Sequence, residues 1–254
     1  MTTTLITGAS SGIGAEFAAR LAARKHDLVL VARSRDKLAA LAARLRQSHG
    51  VVVEVIALDL ASPTAAAELH AETDRRGLQI DWLINNAGFG IHGVFGETDL
   101  ARLASQVQLN CGTLVDLTGA YLPAMRRRGS GAVINVASTA SFQPIPRMAV
   151  YGATKAFVLS FTEALWGENR TTGVRVLAVC PGATETGFFE VAGEAAAAGA
   201  KRSPAQVVTT ALTALDRNRP SVVDGFGNAF VSRLLTRLVP KRALIGIAGR
   251  AVAA

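Results

Sequence analysis

Short apolar runs alternate with longer amphipathic stretches from residue 3 to about residue 225. Several of the short runs are apolar at consecutive positions and rich in β-branched residues, as strands buried on both faces are. The longer stretches carry apolar residues at the three- and four-residue spacing of helices. Regular alternation of the two predicts parallel strands joined by right-handed crossovers, with helices covering both faces of the sheet. We therefore predict one doubly wound α/β domain over residues 1–225.

The pattern also predicts where the elements lie. The strands are expected at Thr3–Thr7, Leu28–Ala32, Val51–Leu58, Ile80–Ile84, Ala132–Ala137, Val174–Val179 and Ser221–Val223. The helices are expected at Gly12–Lys25, Arg35–Gln47, Pro63–Arg76, Asp99–Arg128 and Tyr151–Arg170. Ser62 and Ser203 each precede a proline, which predicts a serine N-cap with proline at the first helical position. Gln206 would complete a capping box with Ser203.

Composition indicates the cellular compartment of this domain and where its charge lies. The chain has 254 residues, half of them hydrophobic, and no apolar run reaches the length needed to span a bilayer. The N-terminus lacks the basic and apolar segments of a secretory signal, and Cys111 and Cys180 show no paired spacing. These features favour a reducing cytoplasm. Of the net charge of +8, +5 lies between Asp216 and Ala254, where seven basic residues accompany two acidic ones.

A glycine-rich turn follows the first predicted strand, in the segment TGASSGIG. Gly8, Gly12 and Gly14 would let the backbone approach a pyrophosphate, which the N–H groups at a helix N-terminus then bind. Ser10, Ser11 and Ile13 lie in the same turn. The spacing departs from the general G-x-G-x-x-G pattern, and a tight turn that only packs the helix on the sheet is the alternative.

A second unusual segment is AVYGATKAF, where Tyr151 and Lys155 lie four residues apart in an apolar run. A helix would bring both side chains to one face. An opposite charge within a few ångströms lowers the pKa of a phenol, so Lys155 would tune Tyr151 toward acid–base chemistry at neutral pH.

Together, TGASSGIG, NNAG at Asn85–Gly88, Ser138, YGATK at Tyr151–Lys155 and PG at Pro181–Gly182 resemble the short-chain dehydrogenase/reductase family. The resemblance covers about residues 3–225. It implies a Rossmann fold with strand order 3-2-1-4-5-6-7 and an oxidoreductase that moves a hydride between a nicotinamide and a carbonyl or secondary alcohol. A non-catalytic dinucleotide-sensing or interaction module of the same fold is the alternative.

The resemblance also assigns catalytic roles. It implies that Tyr151 is the general acid and base, that Lys155 also binds the nicotinamide ribose, and that Ser138 orients the substrate oxygen. Asn110 would hold a water that links the lysine to solvent. Thr139 and Ser141 compete with Ser138 on sequence alone, and a helix-packing amide is the alternative for Asn110.

The cofactor type is predicted from the end of the second strand. Arg33 stands where an acidic residue would favour NAD, and a guanidinium there can bind a 2′-phosphate in a fork. We therefore expect NADP(H) to be preferred over NAD(H). The resemblance implies further contacts with the dinucleotide from residues at the ends of later strands: Asp59, Leu60, Asn86, Ala87, Gly88, Pro181, Gly182, Thr184 and Thr186. Thr184 and Thr186 are alternatives for binding the nicotinamide carboxamide.

The substrate pocket is predicted from the segment that follows the PG motif and from nearby apolar residues. Residues Gly187–Arg202 look like a substrate lid with hinges at Gly193 and Gly199. An apolar pocket for a lipophilic carbonyl is expected from Phe89, Ile91, Phe142, Met148, Phe188 and Phe189. The four histidines show no metal-ligand spacing, so no metal site is predicted.

The last segment, residues 226–254, is predicted to be a basic amphipathic extension of the domain. Its apolar stripe comprises Phe230, Leu234, Leu235 and Leu238, flanked by Arg233 and Arg237 and ended by Pro240. Such a segment either docks over the protein's own pocket or lies on a partner subunit or on anionic lipid. A homodimer or homotetramer is expected. Nucleic acid is not expected as a partner, because aromatic residues do not interleave the basic ones.

Overall fold

A parallel sheet forms the centre of the computed structural model, which describes residues 1–193, 201–232 and 236–252. Its strands are β1 (Thr3–Thr7), β2 (Asp27–Ala32), β3 (Val53–Ala57), β4 (Trp82–Asn85), β5 (Gly131–Val136), β6 (Val174–Cys180) and β7 (Ser221–Val223). They lie in the order β3-β2-β1-β4-β5-β6-β7, and all neighbours are parallel. The predicted fold and strand order are confirmed.

Helices and single turns connect the strands. The α-helices are α1 (Gly12–Ala23), α2 (Arg35–His49), α3 (Ala65–Arg75), α4 (Leu100–Val107), α5 (Thr113–Arg128), α6 (Ala149–Glu168), α7 (Phe188–Ala192), α8 (Pro204–Asp216), α9 (Phe226–Phe230), α10 (Thr236–Leu238) and α11 (Lys241–Ala251). The 3₁₀ turns are Phe95–Glu97 and Thr139–Phe142, and Gln108–Gly112 forms a π-helical turn.

The sheet separates two apolar cores because successive side chains of a strand point to opposite faces. Leu5 and Val133 pack into the core shared with α3 and α5, while Ile6 and Ile134 pack into the core shared with α1, α2 and α8. Both faces of the central strands are therefore buried, which explains their continuous apolar sequences. This burial holds the strand ends, and the loops that follow them, in a fixed arrangement.

Two predicted helix boundaries need correction. The helix expected from Pro63 begins two residues later, with Thr64 at the N-cap position, and the Ser62 hydroxyl pairs with the Thr64 hydroxyl at 3.0 Å. The long helix expected over Asp99–Arg128 is interrupted by the π-helical turn at Gln108–Gly112. Such single turns insert one extra residue and are common at functional sites. The capping box at Ser203 and Gln206 forms as predicted.

The C-terminal segment contains α9, α10 and α11, and the apolar stripe predicted there is described only in part. Phe230 ends α9 and is half exposed, and Leu238 ends α10 and is largely exposed. Leu234, Leu235 and Arg233 lie outside the described residues, as does the side chain of Arg237. Within the described ranges, every helix is too short or too polar to cross a bilayer.

Candidate active site

A cavity of about 640 Å³ opens at the carboxyl ends of the strands. Its walls include Gly8 after β1, Arg33 after β2, Asn86 after β4 and Pro181 after β6. β1 is the strand at which the chain order of the sheet reverses, and open α/β sheets bind ligands outside the carboxyl ends at that point. The loops that follow β1, β2, β4 and β6 therefore meet around one space.

The glycine turn shapes one end of the cavity. Gly8 and Gly12 have φ values of +64° and +56°, which favour glycine, and both line the cavity. Gly14 lies beneath them, not in the cavity wall: a Cβ there would stand 2.3 Å from the Gly8 carbonyl oxygen. The turn thus presents backbone to the cavity at the start of α1, as a bound pyrophosphate requires. Ser10, Ser11 and Ile13 complete this wall.

A buried threonine that sequence reasoning missed ties this turn to β4. Thr7 Oγ1 accepts hydrogen bonds from the backbone N–H groups of Asn86 and Ala87, both at 2.9 Å. The Asn86 side chain returns two bonds, from Nδ2 to the carbonyls of Thr7 and Gly8. Thr7 ends β1 and directly precedes the first glycine of the turn, and that position was the sequence signal for it. Asn86 therefore supports the glycine turn in addition to lining the cavity.

Cations surround the end of the cavity near β2. Arg33 is exposed and lines the cavity, and Lys37, one turn into α2, lines it as well, whereas Arg35 does not. Across from them lie Asp59 and Leu60, where Asp59 Oδ1 accepts from the backbone of Ala61 at 3.1 Å. Sequence reasoning missed Lys37 and also Arg102 of α4, which lines the same cavity. This end suits an anionic ligand.

Tyr151 and Lys155 lie together on α6, and both line the cavity. The Lys155 Nζ is 5.8 Å from the centre of the Tyr151 ring and donates to the Val136 carbonyl oxygen at 2.8 Å. Ser138 follows β5 and caps the 3₁₀ turn, where its Oγ accepts from the Ala140 N–H at 3.1 Å. Its hydroxyl also donates to the Pro181 carbonyl oxygen at 3.5 Å. The predicted hydroxyl, phenol and ammonium groups thus share one wall.

The expected lowering of the Tyr151 pKa is wrong for the protein without a ligand. Burial raises the pKa of Tyr151 to about 12, and the hydrogen bond from Ser138 offsets part of that rise. Burial also lowers the pKa of Lys155 to about 8. The prediction fails because, at a buried pair, the loss of solvation of the phenolate outweighs its attraction to the neighbouring cation. The phenol therefore keeps its proton at neutral pH, which is the form that a proton donor needs.

Asn110 lies behind the cavity and does not line it. It occupies the π-helical turn and is 1% exposed. Its Nδ2 donates to the Phe89 carbonyl at 3.0 Å and to Thr154 Oγ1 at 3.1 Å, while its Oδ1 accepts from the Phe89 N–H at 3.2 Å. Thr154 in turn bonds the Tyr151 carbonyl at 2.8 Å. The side chain thus joins the loop after β4 to the helix that carries Tyr151.

Pro181, Gly182, Thr184 and Thr186 follow β6 and line the cavity. Thr184 is buried and donates to the Gly182 carbonyl at 3.0 Å, whereas Thr186 accepts from the Phe188 N–H at 3.3 Å. Thr186 also lies over the glycine turn, because its methyl group would stand 2.7 Å from a Cβ at Gly12. Both threonines therefore remain candidates for binding the nicotinamide carboxamide.

An ion pair that the sequence did not reveal anchors this loop. The Arg202 guanidinium pairs with Asp224, which is fully buried and also accepts from Thr210 at 2.6 Å. The Arg202 backbone exchanges hydrogen bonds with Ala183 and Glu185, each 2.9 Å long. The pair thus connects the end of β7 to the loop that carries both threonines.

The apolar wall is partly as predicted. Phe89, Met148, Phe188 and Phe189 line the cavity, and the rings of Phe188 and Tyr151 lie 5.4 Å apart. Ile91 and Phe142 do not line it: Ile91 is buried, and Phe142 packs against the core beneath α6. Of the predicted lid, Gly193 is described, whereas Gly199 and residues 194–200 lie outside the described residues. Cys180 is buried at the end of β6.

Comparisons with known proteins identify the family. A sequence model of the short chain dehydrogenase family matches residues 2–197. An uncharacterized oxidoreductase of Staphylococcus saprophyticus is 37% identical over 183 residues, which cover 72% of this chain and 78% of that protein. Across eight curated relatives, the chain spans 52–78% of their length.

Two solved structures are similar over nearly the whole chain. A short-chain dehydrogenase from Sphingobium yanoikuyae in complex with NADPH is 38% identical, with a TM-score of 0.84 over 97% of this chain and 93% of that one. A bulky-bulky ketone specific alcohol dehydrogenase from Comamonas testosteroni is 34% identical, with a TM-score of 0.81 over 100% and 97%.

The chain belongs to the short-chain dehydrogenase family. It is thus an oxidoreductase of a family that uses a nicotinamide dinucleotide. Among the described residues, no group of three or more His, Cys, Asp or Glu side chains is arranged to hold a metal ion.

Proposed function

We propose that this protein is an NADP(H)-dependent oxidoreductase that interconverts a lipophilic ketone or aldehyde and its alcohol. One observation carries the proposal: the Ser138 hydroxyl, the Tyr151 phenol and the Lys155 ammonium group share the wall of a cavity that also contains the glycine turn. These groups suit proton transfer to a carbonyl oxygen. Residues 1–225 would form the catalytic domain and residues 226–254 an extension of it.

In the reduction, the carbonyl oxygen of the substrate would accept hydrogen bonds from Tyr151 and Ser138. A bound nicotinamide dinucleotide would supply the hydride to the carbonyl carbon. As negative charge develops on the oxygen, the phenol gives up its proton and the O–H bond of the alcohol forms. The Lys155 cation, close to the ring, stabilises the phenolate that remains. Ser138 donates a hydrogen bond without ionising.

Asn110 enters this scheme through its neighbours. Its contacts with Phe89 and Thr154 fix the loop after β4 against α6, at a distance from the reacting oxygen. A Cβ at Gly88 would stand 2.9 Å from Asn110 Oδ1 and 3.6 Å from Lys155 Nζ, so the amide and the ammonium group flank one glycine. After turnover, Lys155 would pass a proton to the Tyr151 phenolate and regain one from solvent, and this proximity supports a role for Asn110 in that return.

The preference for NADP(H) is supported by charge. Arg33 and Lys37 both line the cavity, and both side chains are exposed enough to meet a phosphate. A guanidinium binds a phosphate through a fork of two hydrogen bonds, and an added ammonium group strengthens that field. The similar Sphingobium structure contains NADPH.

The lipophilic substrate is supported by the apolar wall beside Tyr151. Phe89, Met148, Phe188 and Phe189 contribute to it, and the similar Comamonas enzyme is specific for bulky-bulky ketones. A ketone with two large apolar substituents would bury them against these side chains, which contributes about 25 cal/mol per Å² of apolar surface.

The decisive test is NADPH oxidation with a panel of ketones and aldehydes graded in size, using the full chain. Tyr151→Phe removes only the phenolic oxygen, so turnover is expected to fall at least 100-fold while NADPH binding changes little. Ser141→Ala is the matched control, since Ser141 donates to the Lys155 carbonyl and lies outside the cavity wall. Unchanged turnover in Tyr151→Phe would falsify the assignment of the acid. Tight NADPH binding without turnover of any carbonyl would favour the dinucleotide-sensing alternative.

Self-association is part of the proposal. Phe157 on α6 is 43% exposed and stacks on Phe161, and Val107 on α4 is 45% exposed. Exposed apolar residues on adjacent helices support a homodimer or homotetramer. Light scattering of the purified protein would measure the mass, and a monomer at micromolar concentration would contradict the proposal.

A further inference from the structure

The end of α11 reaches the cavity from the far end of the chain. Val252 lines the cavity and is 3% exposed. Among the described residues that follow Phe189 in the sequence, it alone belongs to the cavity wall. Resting on the proposed reduction of a lipophilic carbonyl, we propose that α11 is a fixed wall of the substrate pocket and that Val252 limits the size of the ketone accepted.

A hydrogen bond holds this wall in place. His92 Nε2 lies 2.7 Å from the Val252 carbonyl oxygen. Because a carbonyl oxygen only accepts, the ring nitrogen donates, and the bond holds the backbone of Val252 against the loop after β4. The two residues are 160 positions apart in the chain, so the bond forms only in the folded protein.

A close helix contact provides a second anchor. A Cβ at Gly249 would stand 3.1 Å from Pro146 Cγ, so α11 closely approaches the loop that precedes α6. The same loop contributes Ile145 and Met148 to the cavity wall. Its Arg147 carbonyl accepts from the Gly93 N–H at 2.8 Å, which joins it to the segment that carries His92. Three segments thus support one another around Val252.

The buried stripe of α11 shows that the helix is packed along its length. Leu244, Ala248 and Val252 recur every four residues and are 7%, 3% and 3% exposed. Residues at this spacing share one helical face, so α11 buries that face against the body of the protein. Ile247, off this stripe, is 55% exposed. A wall packed in this way resists displacement by a substrate.

Substitution of Val252 should therefore change the size of ketone accepted without changing the chemistry. Val252→Phe adds volume to the wall, and the kcat/KM of the bulkiest ketones is expected to fall about tenfold or more. Small ketones should change less than about twofold. Val252→Ala removes two methyl groups and should raise kcat/KM for ketones larger than those the wild type prefers. Both effects should lie mainly in KM, because Tyr151 and Ser138 are untouched.

Ile247→Ala is the matched control, since it shortens an exposed side chain on the same helix and should leave the size profile unchanged. The hydrogen bond is tested with His92→Ala and His92→Gln. The alanine variant should lose discrimination between large and small ketones, whereas glutamine retains an N–H donor and should recover part of it.

Binding provides a readout independent of turnover. Affinities of a graded ketone series for the NADPH-loaded protein, measured by calorimetry, should show the same dependence on Val252. If wild type reduces ketones but neither Val252 variant alters the size profile or the binding series, the wall is refuted and the proposed function stands. If no carbonyl is reduced but binding of the series depends on Val252, the proposed function fails and the wall is supported. If neither kinetics nor binding responds to Val252, the inference is wrong.

Discussion

The ammonium group of Lys155 lies 5.8 Å from the centre of the Tyr151 ring and donates to the Val136 carbonyl oxygen. Burial holds the pKa of Lys155 near 8 and that of Tyr151 near 12. In the protein without ligand, the lysine loses its proton first as pH rises. The phenol remains a proton donor throughout the physiological range.

The rate of ketone reduction should therefore decline above about pH 8. Loss of the Lys155 proton removes the cation that stabilises the phenolate, whereas the phenol still carries its own proton. Initial rates at saturating NADPH between pH 6 and 10 would measure this. Lys155→Arg retains a cation at every pH and, where active, should lose the inflection. A wild-type rate that is flat to pH 10 contradicts this assignment.

The same lysine should make the stability of the ligand-free protein depend on pH. Its pKa is about 8 in the folded protein and 10.5 in the unfolded chain, so between these values the unfolded chain binds more protons. The free energy of unfolding then rises with pH across this window, by at most about 3 kcal/mol. Urea unfolding of wild type and Lys155→Met at pH 7 and pH 10 would isolate the effect. The difference between the two proteins should shift in favour of wild type at pH 10; a constant difference would show that Lys155 is not responsible.

Arg33→Ala should weaken NADPH binding about 10- to 100-fold and NADH binding only slightly. The reason is that charge-assisted hydrogen bonds to a phosphate contribute about 1.5–3 kcal/mol, and NADH lacks that phosphate. Fluorescence titration with both dinucleotides would test this. Arg35→Ala is the matched control, since Arg35 is exposed nearby but does not line the cavity. Equal losses for NADPH and NADH in Arg33→Ala would overturn the predicted preference.

Gly14→Ala should abolish measurable NADPH binding or prevent folding. A Cβ at Gly14 would lie 2.3 Å from the Gly8 carbonyl oxygen, so the glycine turn would have to move. Gly119→Ala on α5 is the matched control, because a Cβ there meets nothing within 4 Å. In a helix interior that change should stabilise the protein by about 0.5–1 kcal/mol. Thermal unfolding and NADPH titration of both variants suffice, and normal binding by Gly14→Ala would contradict the close approach.

Substitution of Arg202 should destabilise the protein more than substitution of Asp224, although the two residues form one ion pair. Arg202→Met leaves the fully buried Asp224 carboxylate without its counter-ion, and the expected loss of stability is about 3–5 kcal/mol. Asp224→Asn should cost less, because the Arg202 side chain is 32% exposed and can turn to water. The double variant should recover part of the loss of Arg202→Met. Denaturant unfolding of the three variants gives the coupling energy; strictly additive losses would mean that the pair contributes nothing by itself.

Local periodicity explains why the order of elements and the glycine turn could be predicted from the sequence. The apolar runs of β1 and β5 and the glycines at positions 8 and 12 report restrictions that act within a few residues. Boundaries failed where the local signal was ambiguous, as at Ser62, or where a π-helical turn at Asn110 interrupted a helical pattern. Such a turn depends on contacts with the β4 loop and α6, which lie elsewhere in the chain.

The amino-acid sequence alone determined the doubly wound fold, the family and the phenol, hydroxyl and ammonium groups of the candidate site. Only the tertiary structure decided that Val252 joins the cavity wall, that Arg202 pairs with Asp224 and that Asn110 lies behind the cavity. It also decided the direction of the Tyr151 pKa, because that depends on burial. The physical reason is shared: contacts between distant segments and exclusion of water arise from packing of the whole chain, which no local pattern records.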